Sequence, residues 1–388
     1  MNITFLIGNG FDIGVGLKSS FRDFFPTYLN NSAQKPERIK RLADEIDRDY
    51  ETWSDFEKAL GQYTSKFTPE NKQELIAQIR DFESDFIKYL KNQEKELAAN
   101  IYNQKNDVYN TMLRGLLTYY SLQNLARESN ARLHTLHESY KSEVVLYNFV
   151  NFNYTHVLDN FLSIVSECEQ EKATDKKKLF DIGSIVHVHG DYNDHPIIGL
   201  NDSSQIKNKE LAQDESLHRY LLKPLMNQSL RTGNDRMATE LINKSKVICV
   251  YGMSMGDTDK KWWKLLITWL NGAPDRQLII FSYDKNYTTD TPYGWLEKED
   301  YYIDKFIDAC KGTSINVNNL RSRIHISINK NIFQMDLKQL AVAEYATLIA
   351  NLSSAKPALD FVMEHSDEVT TVNEQAKTIA YLPKVPLF

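Results

Sequence analysis

The chain has 388 residues, 42% of them apolar, and a net charge of −6. That is enough length for one large domain with an insertion or for two domains, and enough apolar content for a buried core. The acidic balance disfavours a broad nucleic-acid-binding face, which draws on Lys and Arg. Cys168, Cys249 and Cys310 lie far apart, with neither zinc-ribbon nor redox spacing. There is no basic-then-apolar leader, and no apolar run approaches the roughly 20 residues that span a bilayer. A cytoplasmic protein without a membrane segment is expected.

In chain order, Ile3–Gly8 reads as a first strand, running into the glycine-rich turn Gly8-Asn9-Gly10-Phe11-Asp12-Ile13-Gly14. From about residue 31 to 140 no strand is convincing. Leu75, Ile79, Phe82, Phe86, Leu90, Leu97 and Ile101 recur at helical spacing, which predicts long amphipathic helices with a break near Asn100–Asn106. Val144–Asn151 and Ile185–His189 read as further strands. Residues 191–244 are polar and loop-rich, then helical, and suit a lid. Val247–Gly252, Leu278–Ser282 and Arg323–Ile328 complete six strands. The spacing predicts helices over Asp257–Leu270, with Trp262 and Trp263 as packing residues, and over Asp336–Leu352. Near-continuous apolar strands alternating with helices mean α/β: a Rossmann-like, mostly parallel sheet flanked by helices, with a large all-helical insertion between the first and second strands. Residues 1–30 plus 141–353 are the expected α/β domain, 31–140 the insertion, and 354–388 a C-terminal helix and tail.

The glycines give G-x-G-x-x-x-G, one residue off the dinucleotide fingerprint, and no acidic residue follows at the end of a second strand about 20 residues on. No P-loop is present. An ordinary NAD-dependent dehydrogenase and a P-loop NTPase are both disfavoured. Gly8 and Gly10 can offer N–H groups to an anion, while Asn9 and Asp12 can reach ribose or a reacting centre; the alternative is that both only satisfy the turn. The later strand ends add weight. They read Asn151-Phe152-Asn153-Tyr154-Thr155, His187-Val188-His189-Gly190-Asp191 and Tyr251-Gly252-Met253-Ser254-Met255-Gly256-Asp257. Polar ends on apolar strands, gathered at the carboxyl edge of a parallel sheet, make a site.

Other chemistries are weaker. His187 and His189 share a strand face, but no third ligand is evident, so no metal is expected. Ser254 sits in G-x-S-x-G, yet its partner would have to be His325, inside a strand, or His365, near the end of a helix. Glu51, Asp55 and Glu57 around Trp53 could serve a metal-dependent nuclease, or simply cap and decorate a helix.

The stretches "LIGNGFDIGVGLKSSFRDFF", "WSDFEKAL", "FNYTHVLDNF", "HVHG" with "IIGLND", and "VYGMSMGDTD" together resemble the AbiH family of bacterial abortive-infection proteins, which is in turn similar to the sirtuin-like superfamily. That resemblance implies a sirtuin-like pocket for NAD. Gly8, Gly10 and Asp12 fall on the phosphate and ribose loop, with Asn9 and Phe11 beside them. Asn153 falls on the asparagine of the second element, next to Tyr154, and His189 on the catalytic histidine, next to Gly190. Gly252, Ser254 and Asp257 fall on a second phosphate or ribose contact. Two positions depart: Thr155 stands where an aspartate is usual, and Asp12 where a small residue is. The zinc module of sirtuin deacylases is absent, so peptide deacylation is not expected. The implied activity is hydrolysis of the N-glycosidic bond of NAD, bound as substrate, with Asp12, Asn153 and His189 catalytic. A nucleotide or ADP-ribose sensor without turnover and a nuclease-type effector are the alternatives. A homo-oligomer or a defence-system protein is the expected partner.

Overall fold

The structure, a computed structural model, describes residues 1–172, 178–194, 196–256, 259–287, 292–309, 317–335 and 337. Asp257, Cys310, His195, His365 and most of the helix expected over Asp336–Leu352 lie outside these residues. The compact unit considered below is Met1–Leu337.

Six parallel strands form one sheet: β1 (Asn2–Ile7), β2 (Val145–Asn151), β3 (Phe180–His187), β4 (Val247–Tyr251), β5 (Gln277–Ser282) and β6 (Ile324–Ile328), in the order β3-β2-β1-β4-β5-β6. The helices, in chain order, are α1 (Gly10–Gly14), α2 (Phe21–Ser32), α3 (Glu37–Arg48), α4 (Tyr50–Trp53), α5 (Phe56–Tyr63), α6 (Lys72–Asn103), α7 (Lys105–Thr118), α8 (Arg127–Ser139), α9 (Val157–Glu171), α10 (Glu215–Leu221), α11 (Lys223–Leu230), α12 (Asn234–Lys244), α13 (Lys260–Asn271) and α14 (Pro292–Ala309). The expected break between two long helices is the single residue Gln104.

The strands are apolar because both faces of the sheet are covered. Phe5, Ile7, Phe149, Cys249 and Tyr251 pack with α7 and α9 on one face. Leu6, Val150, Ile248 and Val250 pack with α12, α13 and α14 on the other, where Trp262 and Trp263 are buried as expected. A second core lies off the sheet. It joins Phe24, Phe56, Phe82 and Phe86 of the segment between β1 and β2 to Ile198, Leu200, Leu217 and Leu221 of the segment between β3 and β4. The latter segment was expected to be a lid. Ile198, Leu200, Leu217 and Leu221 are instead buried against the insertion, so this part of the segment forms a packed wall.

Register sets the site. Ile7 pairs with both Asn151 and Tyr251, and Asn151 pairs with His187. The carboxyl ends of β3, β2, β1 and β4 therefore stand level in one row.

Candidate functional site

The chain leaves β1, builds β2 and β3 on one side, then returns to place β4 on the other. The crevice above such a reversal is where open parallel sheets bind ligands. Here the glycine turn after β1 crosses the end of β4. Gly8 N–H donates to Tyr251 O at 2.9 Å, and Gly10 N–H donates to Gly252 O at 2.9 Å. A Cβ on Gly8 would lie 2.7 Å from Gly252 O, and one on Gly10 would lie 2.6 Å from Gly252 Cα. The glycines are thus required by a backbone crossing. This corrects the expectation that their N–H groups hold a pyrophosphate, since both are spent inside the protein.

Beneath this crossing opens a cavity of about 450 Å³. Gly8, Asn9, Asp12, Asn153, Tyr154, His189, Gly252 and Ser254 all line it. The remaining wall includes Ser19, Ser20 and Phe21, Asp55, Phe56 and Glu57 at the start of α5, Phe86 and Leu90 of α6, and Thr155, Lys223 and Asp259. Three expected residues fall elsewhere or serve the fold. Gly10 is the crossing point just described. Phe11 is buried in the main core, its ring 5.7 Å from that of Phe161 and 6.0 Å from that of Phe333. Gly190, at φ +67°, turns the chain after β3, outside the cavity wall.

The family description "Bacteriophage abortive infection AbiH" matches residues 4–283. The chain belongs to the AbiH family. The matched span contains every residue lining the cavity. No curated protein matches the chain.

In this AbiH chain the cavity centres on Asp12, which is 1% exposed. Asn153 Nδ2 donates to its Oδ1 at 3.2 Å and to Gly8 O at 3.2 Å, while Thr155 Oγ1 donates to its Oδ2 at 2.7 Å. Burial dominates its ionisation. Despite the hydrogen bond from Thr155, and helped by the nearby Glu94 carboxylate, the pKa rises from 3.8 to about 7. His189 is buried against Phe152 and Tyr154, at ring distances of 5.6 and 6.3 Å. Burial, then the charges of Lys223 and Lys261, hold its pKa well below 6.5, so the ring is neutral.

His187 does a different job. Its Nδ1 donates to Asn153 O at 3.0 Å and its Nε2 to Asp159 Oδ2 at 3.0 Å, so both nitrogens face acceptors. Burial opposes the charged ring, but the hydrogen bond and charge of Asp159 outweigh it and raise the pKa. The imidazolium pins the main chain that carries Asn153. The two histidines thus have separate surroundings. Among the described residues no group of three or more His, Cys, Asp or Glu could hold a metal ion.

Lys223 is the missed cation of the cavity. It is 4% exposed and ion-paired with Glu57, whose other oxygen accepts from Asn201 at 3.1 Å. Burial raises the Glu57 pKa, against the pull of Lys223. Burial likewise raises Asp259 from 3.8 to about 7, Lys223 opposing. No local pattern marked Lys223 or Glu57 as partners, because they are 166 residues apart. Asp259 is within reach of the sequence: it closes the stretch "VYGMSMGDTD", two residues after Asp257. Asp55 accepts from Lys58 N at 3.3 Å and caps α5, as the simpler reading of that acidic cluster requires. His325 cannot serve Ser254, since its nitrogens contact Ser129 Oγ at 2.8 Å and Gln277 Oε1 at 2.9 Å inside β6. Among the described residues no helix is long and apolar enough to cross a membrane.

Proposed function

We propose that this cavity hydrolyses the N-glycosidic bond of NAD⁺, or of a related nucleotide, in a sirtuin-like pocket. The family implies the setting, a phage abortive-infection function. The observation that carries the chemistry is the buried Asp12 carboxyl, clamped by Asn153 and Thr155 on the same cavity as a neutral His189. The two departures from the sirtuin-like pattern are bonded to each other.

Cleavage breaks the C1′–N bond. Its electron pair passes to the pyridinium nitrogen, and nicotinamide leaves as a neutral group without a general acid. Positive charge grows on C1′ and the ring oxygen, where an adjacent carboxylate stabilises it. Asp12 supplies that charge. Water then adds to C1′ and gives its proton to His189, while Asn153 fixes the Asp12 side chain. Asp55, Glu57 and Asp259 on the same wall suit a cationic pyridinium rather than a phosphate.

The test is incubation of the purified chain with NAD⁺, alone and with phage components, followed by chromatography for nicotinamide. Asp12→Asn and His189→Ala are each expected to lower turnover at least 100-fold. Absence of turnover under every condition, or full turnover in His189→Ala, rejects the mechanism. A second reading, a sensor that binds nucleotide without turnover, is favoured by Thr155, whose hydroxyl already occupies one Asp12 oxygen. Calorimetric binding without product distinguishes it.

A further inference from the structure

Part of the cavity wall is aromatic. The Phe21 ring centre lies 4.8 Å from that of Phe56 and 4.7 Å from that of Phe86, and Phe86 lies 6.1 Å from Tyr154. All four line the cavity, and the neutral His189 ring continues the arc 6.3 Å beyond Tyr154. The Tyr154 hydroxyl is spent on Ile197 O at 2.8 Å, so the arc offers ring surface rather than a polar group. Flat heteroaromatic bases pack on such surfaces.

The Lys223–Glu57 pair stands against this arc. After burial, Lys223 is the largest influence on the ionisation of His189, and Glu57 on that of Tyr154. The main chain fixes the lysine in place: Lys223 N–H donates to Leu200 O at 2.7 Å, and Leu200 N–H donates to Leu221 O at 2.7 Å. Its ammonium has three donors. Glu57 Oε1 takes one and is its only hydrogen-bond partner among the described residues. At 4% exposure Lys223 has little solvent for the other two. Glu57 in turn keeps acceptor capacity beyond Lys223 and Asn201. Spare donors and spare acceptors therefore sit side by side on a wall that takes a flat ring. A carboxamide matches both, with its C=O accepting from Lys223 and its NH₂ donating to Glu57. A carboxylate accepts only, and would set one of its oxygens against the Glu57 charge.

We propose that Lys223 and Glu57 read the carboxamide of a heteroaromatic base packed on the Phe21–Phe86–Tyr154 arc, and so admit an amide-bearing base while rejecting its carboxylate counterpart. The proposal rests on the hydrolysis reading and names the leaving group of that reaction as an aromatic amide. The substrate class is then a nicotinamide nucleotide and not a nicotinate one.

The test compares NAD⁺ with nicotinic acid adenine dinucleotide, which differs from it by that one group, on the full chain. Both kcat/KM and calorimetric affinity are measured. The wild type is expected to favour NAD⁺ about 30-fold or more, the penalty of a like-charge contact. Glu57→Gln removes the repelling charge and leaves Lys223 to the incoming carboxylate. It should shrink the preference about tenfold or more, chiefly by improving the acid dinucleotide. A diffuse acidic field would also disfavour the extra charge, but salt screens it; the preference should hold between about 0.05 M and about 0.5 M salt. Equal handling of the two dinucleotides by the wild type overturns the proposal, and is what an adenine in this pocket would give, since both carry adenine. A preference that salt abolishes, or that Glu57→Gln leaves unchanged, overturns it as well. If neither dinucleotide is hydrolysed, the hydrolysis reading falls and the binding preference decides the amide contact. If neither binds, both fall.

Discussion

A carboxyl kept in a fully buried place is costly, and Asp12 shows where the cost appears. Its folded pKa of about 7 stands roughly three units above its ordinary 3.8. Between those values the folded chain keeps a proton that the unfolded chain has released. Stability therefore falls as pH rises from about 4 to about 7 and levels off above, and the Asp12 contribution to that fall is at most about 4 kcal/mol. Asp12→Asn removes the charge with little change of shape. The new amide oxygen can accept from Asn153 while its NH₂ donates to Thr155. The variant is expected to be more stable than the wild type at pH 8 by up to about 4 kcal/mol, with a shallower loss of stability between pH 4 and 7, and to be catalytically inactive. Thermal melts across that range check it, and a variant whose melting tracks the wild type at every pH contradicts the burial argument. The same residue predicts that wild-type turnover climbs through about pH 7 as the carboxylate forms, read from a pH–rate profile.

The glycine turn teaches a different lesson, about which part of an element a sequence exposes. That Gly8 to Gly14 forms a turn after a strand was legible from composition; that Gly8, Gly10 and Gly252 are required by a backbone crossing was not, because β1 and β4 are separated by more than 200 residues of chain. The strands with continuous apolar runs were legible almost to the residue. β3 was not: it begins at Phe180, where Ile185 was expected, because Asp181-Ile182-Gly183-Ser184 lies at the sheet edge, only partly buried or exposed. Gly183 is needed there because a Cβ would meet Asn148 Oδ1 at 2.3 Å, a contact between strands. Two glycines with nearly equal φ separate the cost of conformation from the cost of crowding. Gly252 (φ +69°) would place a Cβ 2.7 Å from Phe11 N and 2.9 Å from Gly8 O, whereas Gly233 (φ +71°) has nothing within 4 Å. Gly233→Ala should cost about 1 kcal/mol, for left-handed strain alone. Gly252→Ala should cost about 2–4 kcal/mol, as the crossing is also forced apart. Urea midpoints decide this, and equal losses at the two sites would remove the crossing from the explanation.

At the scale of the molecule, the candidate site is a seam between two cores. The sheet supplies Gly8, Asp12, Asn153, His189 and Ser254, and the off-sheet helical core supplies Phe56, Glu57 and Phe86. The half on the sheet could be read from the sequence because strand ends carry a local signature. The other half could not, because Glu57 and Lys223 meet only when α5 and α11 pack together. Helix α6 ties the halves: its 32 residues extend for about 48 Å, with Phe82 and Phe86 in the off-sheet core and Leu97 and Ile101 in the main one. Phe82 is fully buried at the centre of the off-sheet core, stacked 4.2 Å from Phe56 and edge-on to Tyr28 at 5.0 Å and to Phe24 at 5.2 Å. Phe82→Ala should cost about 3–5 kcal/mol through the cavity it leaves. Because Phe82 touches none of the sheet residues of the main core, the loss should stay local. Hydrogen exchange should quicken in α2, α3, α5 and the first half of α6 while β1 and β4 keep their protection. Phe56 and Phe86 then lose their backing, so ligand binding should weaken although Asp12, Asn153 and His189 stay in place. Exchange that quickens equally in β1 and β4 means that the two cores unfold as one, and the seam is then an indivisible part of a single cooperative structure.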